Sequence, residues 1–185
     1  QNVELTPLTV NFEWASSDPL AGHTPLFIFL IDQSTSMLGL GRSDIRYASD
    51  GTQVRHLKIS EMISQLSPET EVALISFSGR TTSYARSNLV SQPSPDKQRV
   101  RDELEELKYS MRHETGTPLA LVLHDTQRLI ESLETNRYDP KVMVVTDGIE
   151  DGDRSPEGLA IDEALIDFFV QNHVPVHTLH IESKI

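Results

Sequence analysis

The chain has 185 residues, of which 37% are hydrophobic and 24% are charged, a composition typical of one folded domain rather than of a disordered segment. The net charge of −12 argues against nucleic acid or an anionic membrane as the main partner. The absence of cysteine excludes disulfides, thiolate metal sites and cysteine nucleophiles, and no apolar run approaches the roughly 20 residues that a membrane span requires. A cysteine-free chain favours a reducing compartment, so we expect a cytoplasmic protein, with an extracellular location as the alternative.

The hydrophobic pattern predicts six strands, which are, in chain order, Leu8–Trp14, Leu26–Ile31, Val72–Phe77, Thr81–Val90, Val142–Val145 and Val174–Ile181. The first alternates apolar and polar residues and is typical of a half-buried edge strand. The second and third are apolar almost throughout, as in strands that are covered on both faces. The fourth is expected to pair with the third as a hairpin partner.

Four helices are predicted between these strands. The first has an apolar face made of Ile59, Met62, Ile63 and Leu66. Each of the others is expected to begin where a capping residue precedes a proline, at Ser94-Pro95-Asp96, at Thr117-Pro118 and at Ser155-Pro156-Glu157. The last of these is expected to include Ile161, Leu165, Phe168 and Phe169.

The alternation of strands and helices predicts an α/β fold of three layers, Rossmann-like, with helices on both faces of the sheet. The sheet is expected to be mainly parallel, with one antiparallel edge strand. We expect a single domain over 23–185, preceded by an edge strand and lead-in over 1–22.

Polar residues follow the buried strands at the end of the sheet where ligands bind in folds of this kind. Asp32, Ser34 and Ser36 come directly after the first buried strand, Asp147 follows a later one, and Thr117 opens a helix. These two carboxylates and three hydroxyls are all oxygen donors, which is the set that Mg²⁺ prefers. Because these segments contain neither cysteine nor histidine, zinc and copper are disfavoured.

Four of these five side chains also have a simpler interpretation. Ser34, Ser36 and Thr117 are typical helix-capping residues, and Asp147 before Gly148 is typical of a turn. The hydroxyls together with both acids favour a metal site. Since two carboxylates at most neutralise a divalent cation, the metal is expected to stay electrophilic and to bind an incoming carboxylate.

Three segments, FIFLIDQSTSM, TGTPLALVL and VMVVTDGIEDG, resemble the metal-ion-dependent adhesion site of von Willebrand factor A-type (vWA) domains. The family pattern is D-x-S-x-S, a threonine that opens a later helix, and an aspartate in a T-D-G turn. The resemblance runs from about Pro25 to Ile181. It implies a cation-dependent protein-interaction module rather than an enzyme, with Mg²⁺, Mn²⁺ or Ca²⁺ bound and a glutamate or aspartate of a partner protein completing the shell. The implied metal ligands are Asp32, Ser34, Ser36, Thr117 and Asp147.

The chain departs from the family pattern in three places. Thr35 replaces the usual glycine between the serines, and its β-branched side chain is expected to stiffen the loop. The stretch from Leu38 to Val54 is longer than usual and is a candidate specificity loop or lid, or an insertion that is merely tolerated. The strand and helices with which the family normally ends do not follow Val174–Ile181, so either the chain is truncated or Leu8–Trp14 takes the vacant edge of the sheet.

The acidic, cysteine-free chain resembles bacterial intracellular vWA proteins more than animal adhesion domains. That likeness implies work beside an AAA+ ATPase or within a stress-response system, by family analogy. The alternatives are a Mg²⁺-dependent phosphoester hydrolase with Asp32 as the nucleophile, and a structural role without metal. Hydrolases of that type need a second acid two residues later, where this chain has Ser34.

Overall fold

The computed structural model of the chain describes residues 22–38, 50, 53–79, 86–109, 116–134, 137–148 and 160–181. In chain order, the strands and helices of these residues are β1 (Thr24–Asp32), α1 (Thr35–Leu38), α2 (Val54–Gln65), β2 (Glu71–Ser78), β3 (Arg86–Ser94), α3 (Lys97–Tyr109), α4 (Leu119–Ser132), β4 (Tyr138–Thr146), α5 (Glu163–Gln171) and β5 (Val176–His180). Among the helices so described, none combines the length and the apolar character that crossing a membrane would take.

The strands form one sheet in the order β3-β2-β1-β4-β5. β1 pairs in parallel with both β2 and β4, and β4 pairs in parallel with β5. β3 pairs antiparallel with β2, as predicted for a hairpin partner, and its register shifts between Val72 and Ile75. The predicted mainly parallel sheet with one antiparallel edge strand is therefore confirmed.

The central strand explains the three layers. Side chains alternate between the two faces of a strand, so Leu26, Ile28 and Leu30 enter one core while Phe27, Phe29 and Ile31 enter the other. The first core is closed by α4 and α5, and the second by α2 and α3. Burying each such side chain contributes about 1.5–3 kcal/mol, so these six residues anchor β1 firmly between the two layers of helices.

The predicted start of α3 is wrong by a few residues. Ser94 is still the last residue of β3, where it pairs with Val72, so the strand holds it in an extended conformation. Asp96 is the cap, because its Oδ1 accepts a hydrogen bond of 3.0 Å from the backbone N–H of Arg99. Pro95 therefore precedes the helix instead of lying in its first turn.

The start of α4 also differs from the prediction, and so does the place of Ile161. Leu119 is the first residue of α4, and among the described residues no side chain caps it, so Thr117 is not the helix cap. α5 begins at Glu163, where Asp162 accepts a bond of 2.9 Å from the N–H of Leu165. Ile161 thus lies before the helix rather than within it.

Three expectations fall outside the described residues. They concern the edge strand Leu8–Trp14, most of the stretch from Leu38 to Val54, and the helix start at Ser155-Pro156-Glu157. The strand predicted at Val142–Val145 is present and extends to Tyr138–Thr146, and β5 covers Val176–His180 of the segment predicted at Val174–Ile181.

Candidate metal centre

The candidate site lies where the strand order of the sheet reverses. From β1 the chain continues to β2 on one side, whereas β4 and β5 lie on the other. The carboxyl ends of β1 and β4 are adjacent at this point, and crevices of this kind are the usual ligand-binding position in open α/β sheets. Asp32 is the last residue of β1, and Asp147 directly follows β4.

Hydrogen bonds connect four of the five residues proposed from the sequence. The hydroxyl of Ser36 donates to Oδ1 of Asp147 over 3.1 Å, and the hydroxyls of Ser34 and Ser36 are 2.9 Å apart. Because the Ser36 proton is used toward Asp147, the Ser34 hydroxyl is the donor in the pair of serines. The backbone N–H of Ser34 donates to Oδ1 of Asp32 over 2.7 Å.

Thr117 reaches the same place from a third segment. Its side chain is 4% exposed and lies against Gly148, next to Asp147. A Cβ atom on Gly148 would stand only 2.6 Å from Oγ1 of Thr117, so the absence of a side chain at 148 is what lets the threonine approach. Gly116, just before it, accepts a backbone hydrogen bond of 3.2 Å from Gly79, which ties this segment to the end of β2.

The short helix α1 fixes the loop that carries the two serines. The backbone N–H of Met37 donates to the carbonyl of Ser34 over 3.2 Å, which closes one turn directly after β1. The Met37 side chain is fully buried and Ser36 is exposed, so the turn places one side chain in the core and the next at the surface. This alternation presents the Ser36 hydroxyl toward Asp147.

Asp32 is a fully buried carboxyl group with both oxygen atoms engaged. Burial raises its pKa above the usual value of 3.8, and the negative charge of Asp147 adds to that effect, whereas hydrogen bonds from Thr146 and Ser34 oppose it. Without a nearby cation, ionising this carboxyl group therefore costs more than it would in water. A divalent cation between the two carboxylates would offset this penalty.

Thr146 contributes to the site and was not assigned by the sequence. Its hydroxyl donates to Oδ2 of Asp32 over 2.5 Å and accepts from the backbone N–H of Gly148 over 3.0 Å. It thus links β1 to the turn that carries Asp147. The available signal was its position in Thr146-Asp147-Gly148, since the last residue of a buried strand next to the site faces the neighbouring strand end.

The donor set fits a hard divalent cation. Two carboxylates and three hydroxyls from three separate segments meet at one end of the sheet, and cations such as Mg²⁺ select oxygen ligands of this kind. Asp32, Ser34 and Thr117 are buried, so a bound ion would be partly shielded from water on the protein side. Ser36 and Asp147 lie toward the surface and leave an approach from solvent.

Between Leu38 and Val54, the structure describes Asp50 and Gln53. The carboxylate of Asp50 is buried and forms an ion pair of 2.7 Å with Arg55, a side chain with no exposed surface. Asp50 is therefore committed to the interior of the fold and is not free to contact a partner, as a specificity loop would require. Arg42, Asp44, Arg46 and Tyr47 lie outside the described residues.

Comparison with known families identifies the fold. The family model described as von Willebrand factor type A domain matches residues 27–150, which is about two thirds of the chain and includes all five candidate ligands. The chain belongs to the vWA family. A search of curated proteins found no match to the sequence.

Solved vWA-like structures share the architecture at low sequence identity. The manganese-loaded TRAP protein of Plasmodium vivax is 19% identical, with a TM-score of 0.56, over 89% of this chain and 59% of that one. A von Willebrand factor type A protein from Catenulispora acidiphila is 17% identical, with a TM-score of 0.56, over 84% and 32%. Proximal thread matrix protein 1 from the mussel byssus has zinc in its metal-ion-dependent adhesion site (MIDAS) motif. It is 16% identical, with a TM-score of 0.60, over 85% of this chain and 35% of that one. This vWA chain spans less than two thirds of the length of each of these proteins.

Proposed function

We propose that this vWA domain binds a divalent cation at Asp32, Ser34, Ser36, Thr117 and Asp147 and uses the cation to bind a carboxylate of a partner protein. The observation that carries the proposal is the meeting of these oxygen side chains, from three distant segments, at the switch point of the sheet. Helix capping does not account for Thr117, because α4 begins at Leu119 without using it.

The charge of the donor set supports a docking role. Three of the five donors are neutral hydroxyls, so the two carboxylates at most balance the charge of the ion, and each also accepts a hydrogen bond. A cation held in this way keeps affinity for a further anionic ligand. The side chain of a glutamate or aspartate on a partner has the right charge and reach to supply it.

Mg²⁺ is the cation proposed, on the preference of hard ions for oxygen ligands. The related TRAP protein is manganese-loaded and the mussel protein holds zinc in its MIDAS motif, so both ions belong in the test. We further propose, by family analogy, that the partner is part of an intracellular assembly with an AAA+ ATPase or a stress-response system.

A phosphoester hydrolase with Asp32 as the nucleophile is the weaker candidate. Both carboxylate oxygens of Asp32 accept hydrogen bonds, and the side chain has no exposed surface from which to attack a substrate. The position two residues later, where such enzymes carry an acid, holds Ser34. Mg²⁺-dependent hydrolysis of a generic phosphoester that disappears in Asp32→Asn would favour this candidate instead.

The docking step is tested with Mn²⁺ as a paramagnetic probe. Water bound to Mn²⁺ on the protein enhances water-proton relaxation, and acetate or a short glutamate-containing peptide should displace that water and reduce the enhancement. Asp125→Ala is the matched control, because it removes one carboxylate that pairs with Arg128 on α4, outside the candidate site. A metal-loaded protein whose relaxation is unchanged at saturating carboxylate would rule out docking through the metal.

The partner is sought by affinity capture with and without EDTA. Wild type and Asp125→Ala should retain the same partner in the presence of Mg²⁺, and Asp147→Ala should lose it. A partner that remains bound in EDTA contacts the protein elsewhere and would contradict the proposed mode of binding.

A further inference from the structure

A buried network of polar side chains packs against residues 32–37, which we call the metal loop. Its centre is Arg55 on α2, whose side chain has no exposed surface. One arm of its guanidinium, Nη1, donates to Oδ2 of Asp50 over 2.7 Å. The other arm, Nη2, donates to Oε1 of Gln33 over 2.9 Å, and Gln33 is the residue between the candidate ligands Asp32 and Ser34. One arginine therefore bridges the metal loop and residue 50.

Asp50 is hydrogen-bonded to Met37, the last residue of the metal loop. Its backbone N–H donates to the carbonyl of Met37 over 2.7 Å, directly after Ser36. Its carboxylate also accepts from the backbone N–H groups of Val54 over 2.6 Å and of Arg55 over 3.1 Å, at the start of α2. The positive end of the helix dipole and the guanidinium together hold this buried carboxylate in one position.

The network continues through Gln33 to α3. Because Oε1 of Gln33 accepts from Arg55, its amide nitrogen is the atom 3.2 Å from Nε2 of His56, which must accept. The proton of the imidazole is then on Nδ1, which donates to the carbonyl of Leu104 over 3.2 Å. The orientation of Gln33 is thus fixed on both sides by residues of α2.

We propose that Arg55 is a positioning residue for the metal site. Through Gln33 at one end and Asp50 at the other, it holds residues 32–37 in the arrangement that presents Ser34 and Ser36 to the cation. This inference rests on the proposed metal-binding function. Residues 39–49 connect the metal loop to Asp50 along the chain. The inference predicts that they are not needed for metal affinity.

The chemistry of arginine suits this role better than that of lysine. A planar guanidinium donates to two separated acceptors in fixed directions, whereas an ammonium group is a single point donor. Lysine at 55 would keep a positive charge for Asp50 but lose the fixed bridge to Gln33. Removing hydrogen bonds that orient the ligands of a metal typically changes metal affinity by about 10–100-fold.

The test compares Mn²⁺ affinity, by calorimetry on the full chain, in wild type, Gln33→Ala, Arg55→Lys and Arg101→Met. The control residue Arg101 also links α2 and α3, through a bond of 2.8 Å from Nε to the hydroxyl of Ser60, and among the described residues no hydrogen bond joins it to residues 32–37. We expect dissociation constants at least about tenfold higher in Gln33→Ala and Arg55→Lys. Arg101→Met should stay within about twofold of wild type.

Urea unfolding of the same metal-free proteins separates positioning from simple support of the fold. A purely structural role would lower the free energy of unfolding and leave the affinity of the folded protein unchanged. Gln33→Ala keeps the ion pair between Asp50 and Arg55, so it decides the question if Arg55→Lys does not fold. Equal Mn²⁺ affinity in folded wild type and Gln33→Ala would overturn the inference while leaving the proposed function intact.

A final variant tests whether metal affinity is independent of residues 39–49. Replacing residues 39–49 with a Gly/Ser linker of about four residues is sterically reasonable, since Met37 and Asp50 are already joined by a hydrogen bond. Its Mn²⁺ affinity should stay within about threefold of wild type, because no anchor is removed. A tenfold loss would contradict the inference. Wild type that does not bind Mn²⁺ at all would overturn the proposed function, and this inference with it.

Discussion

At the scale of single residues, a buried acid lies at the centre of the hydrogen bonds in the candidate site. Asp32 ends β1, lies in the interior, and accepts hydrogen bonds from Ser34 and from Thr146. The raised pKa means that the metal-free fold carries a cost for keeping this group ionised. Such a cost is expected where a side chain is retained for binding rather than for stability.

Asp32→Asn should abolish metal binding without weakening the metal-free protein. The amide keeps a carbonyl oxygen for the N–H of Ser34, its nitrogen can donate to the hydroxyl of Thr146, and a buried negative charge is removed. We expect a metal-free free energy of unfolding at neutral pH that equals or exceeds that of wild type, measured in urea. A loss of more than about 1 kcal/mol would contradict this account of Asp32.

The same variant gives a pH dependence of known sign. Below the usual pKa of 3.8 the carboxyl is protonated in both the folded and the unfolded state, so it contributes nothing to their difference. As the pH rises from there through the raised pKa of the folded state, the folded protein holds more protons, and metal-free wild type loses stability. The free energy of unfolding of wild type minus that of Asp32→Asn should therefore fall over this interval; a difference that rises would contradict the raised pKa.

Gly148→Ala should weaken the metal site through Thr117. The new Cβ would stand 2.6 Å from Oγ1 of Thr117, so the threonine or the turn must shift. Overpacking of this kind costs about 1–3 kcal/mol, and displacement of a ligand adds a loss of metal affinity. Thr117→Val, which keeps the volume and removes the hydroxyl, is the companion variant. Unchanged Mn²⁺ affinity in both variants would show that Thr117 is not a ligand.

The sequence could predict the candidate ligands but not the support behind them. Asp32, Ser34 and Asp147 were recognisable because oxygen donors follow two buried strands. Arg55 bonds both to Asp50 and to Gln33, and Gln33 lies 22 residues away along the chain. No local sequence pattern predicts this bridge. A partial signal was present, since Arg55 lies four residues before the buried Ile59 and thus on the inner face of α2.

At the scale of elements, strands were easier to predict than helix starts. A continuous apolar run marks β1 or β4 whatever surrounds it. A helix start depends on which of several polar residues accepts the free N–H groups, and tertiary pairing decides that choice. Ser94 had a good capping sequence, yet its pairing with Val72 in the sheet left the cap to Asp96.

Asp162→Ala should destabilise α5 without affecting metal binding. The Asp162 carboxylate accepts from the N–H of Leu165 at the first turn, and losing such a cap costs about 0.5–2 kcal/mol. Urea unfolding should show this loss, whereas Mn²⁺ affinity should remain within about twofold of wild type, because α5 carries no candidate ligand. A large loss of affinity would mean that the site depends on α5.

At the scale of the whole molecule, the sheet order brings the residues of the candidate site together. Asp32 and Asp147 are 115 positions apart in the sequence but adjacent in space, because β1 and β4 pair in parallel. The fold class followed from the alternation of strands and helices, since few sheet arrangements accommodate that pattern. The expected position of the candidate site then followed from the general rule for such sheets.

A cation that binds the native state and not the unfolded chain stabilises the whole domain. At a free concentration about 100 times the dissociation constant, the added stability is about 2.7 kcal/mol. For a chain of this size, that corresponds to a rise in Tm of about 5–10 °C. Thermal melts in Mg²⁺ or Mn²⁺ and in EDTA measure it, and identical melts in wild type would mean that no native-state site exists.

The most direct test of the central claim is a calorimetric titration of Mn²⁺ into wild type, Asp147→Ala and Asp125→Ala. The two variants remove the same charge, one beside Ser36 at the candidate site and one beside Arg128 on α4. Binding at the proposed site predicts one cation in wild type and in Asp125→Ala with similar affinity, and at least about tenfold weaker binding in Asp147→Ala. Equal binding in all three proteins would contradict the site assigned to this domain.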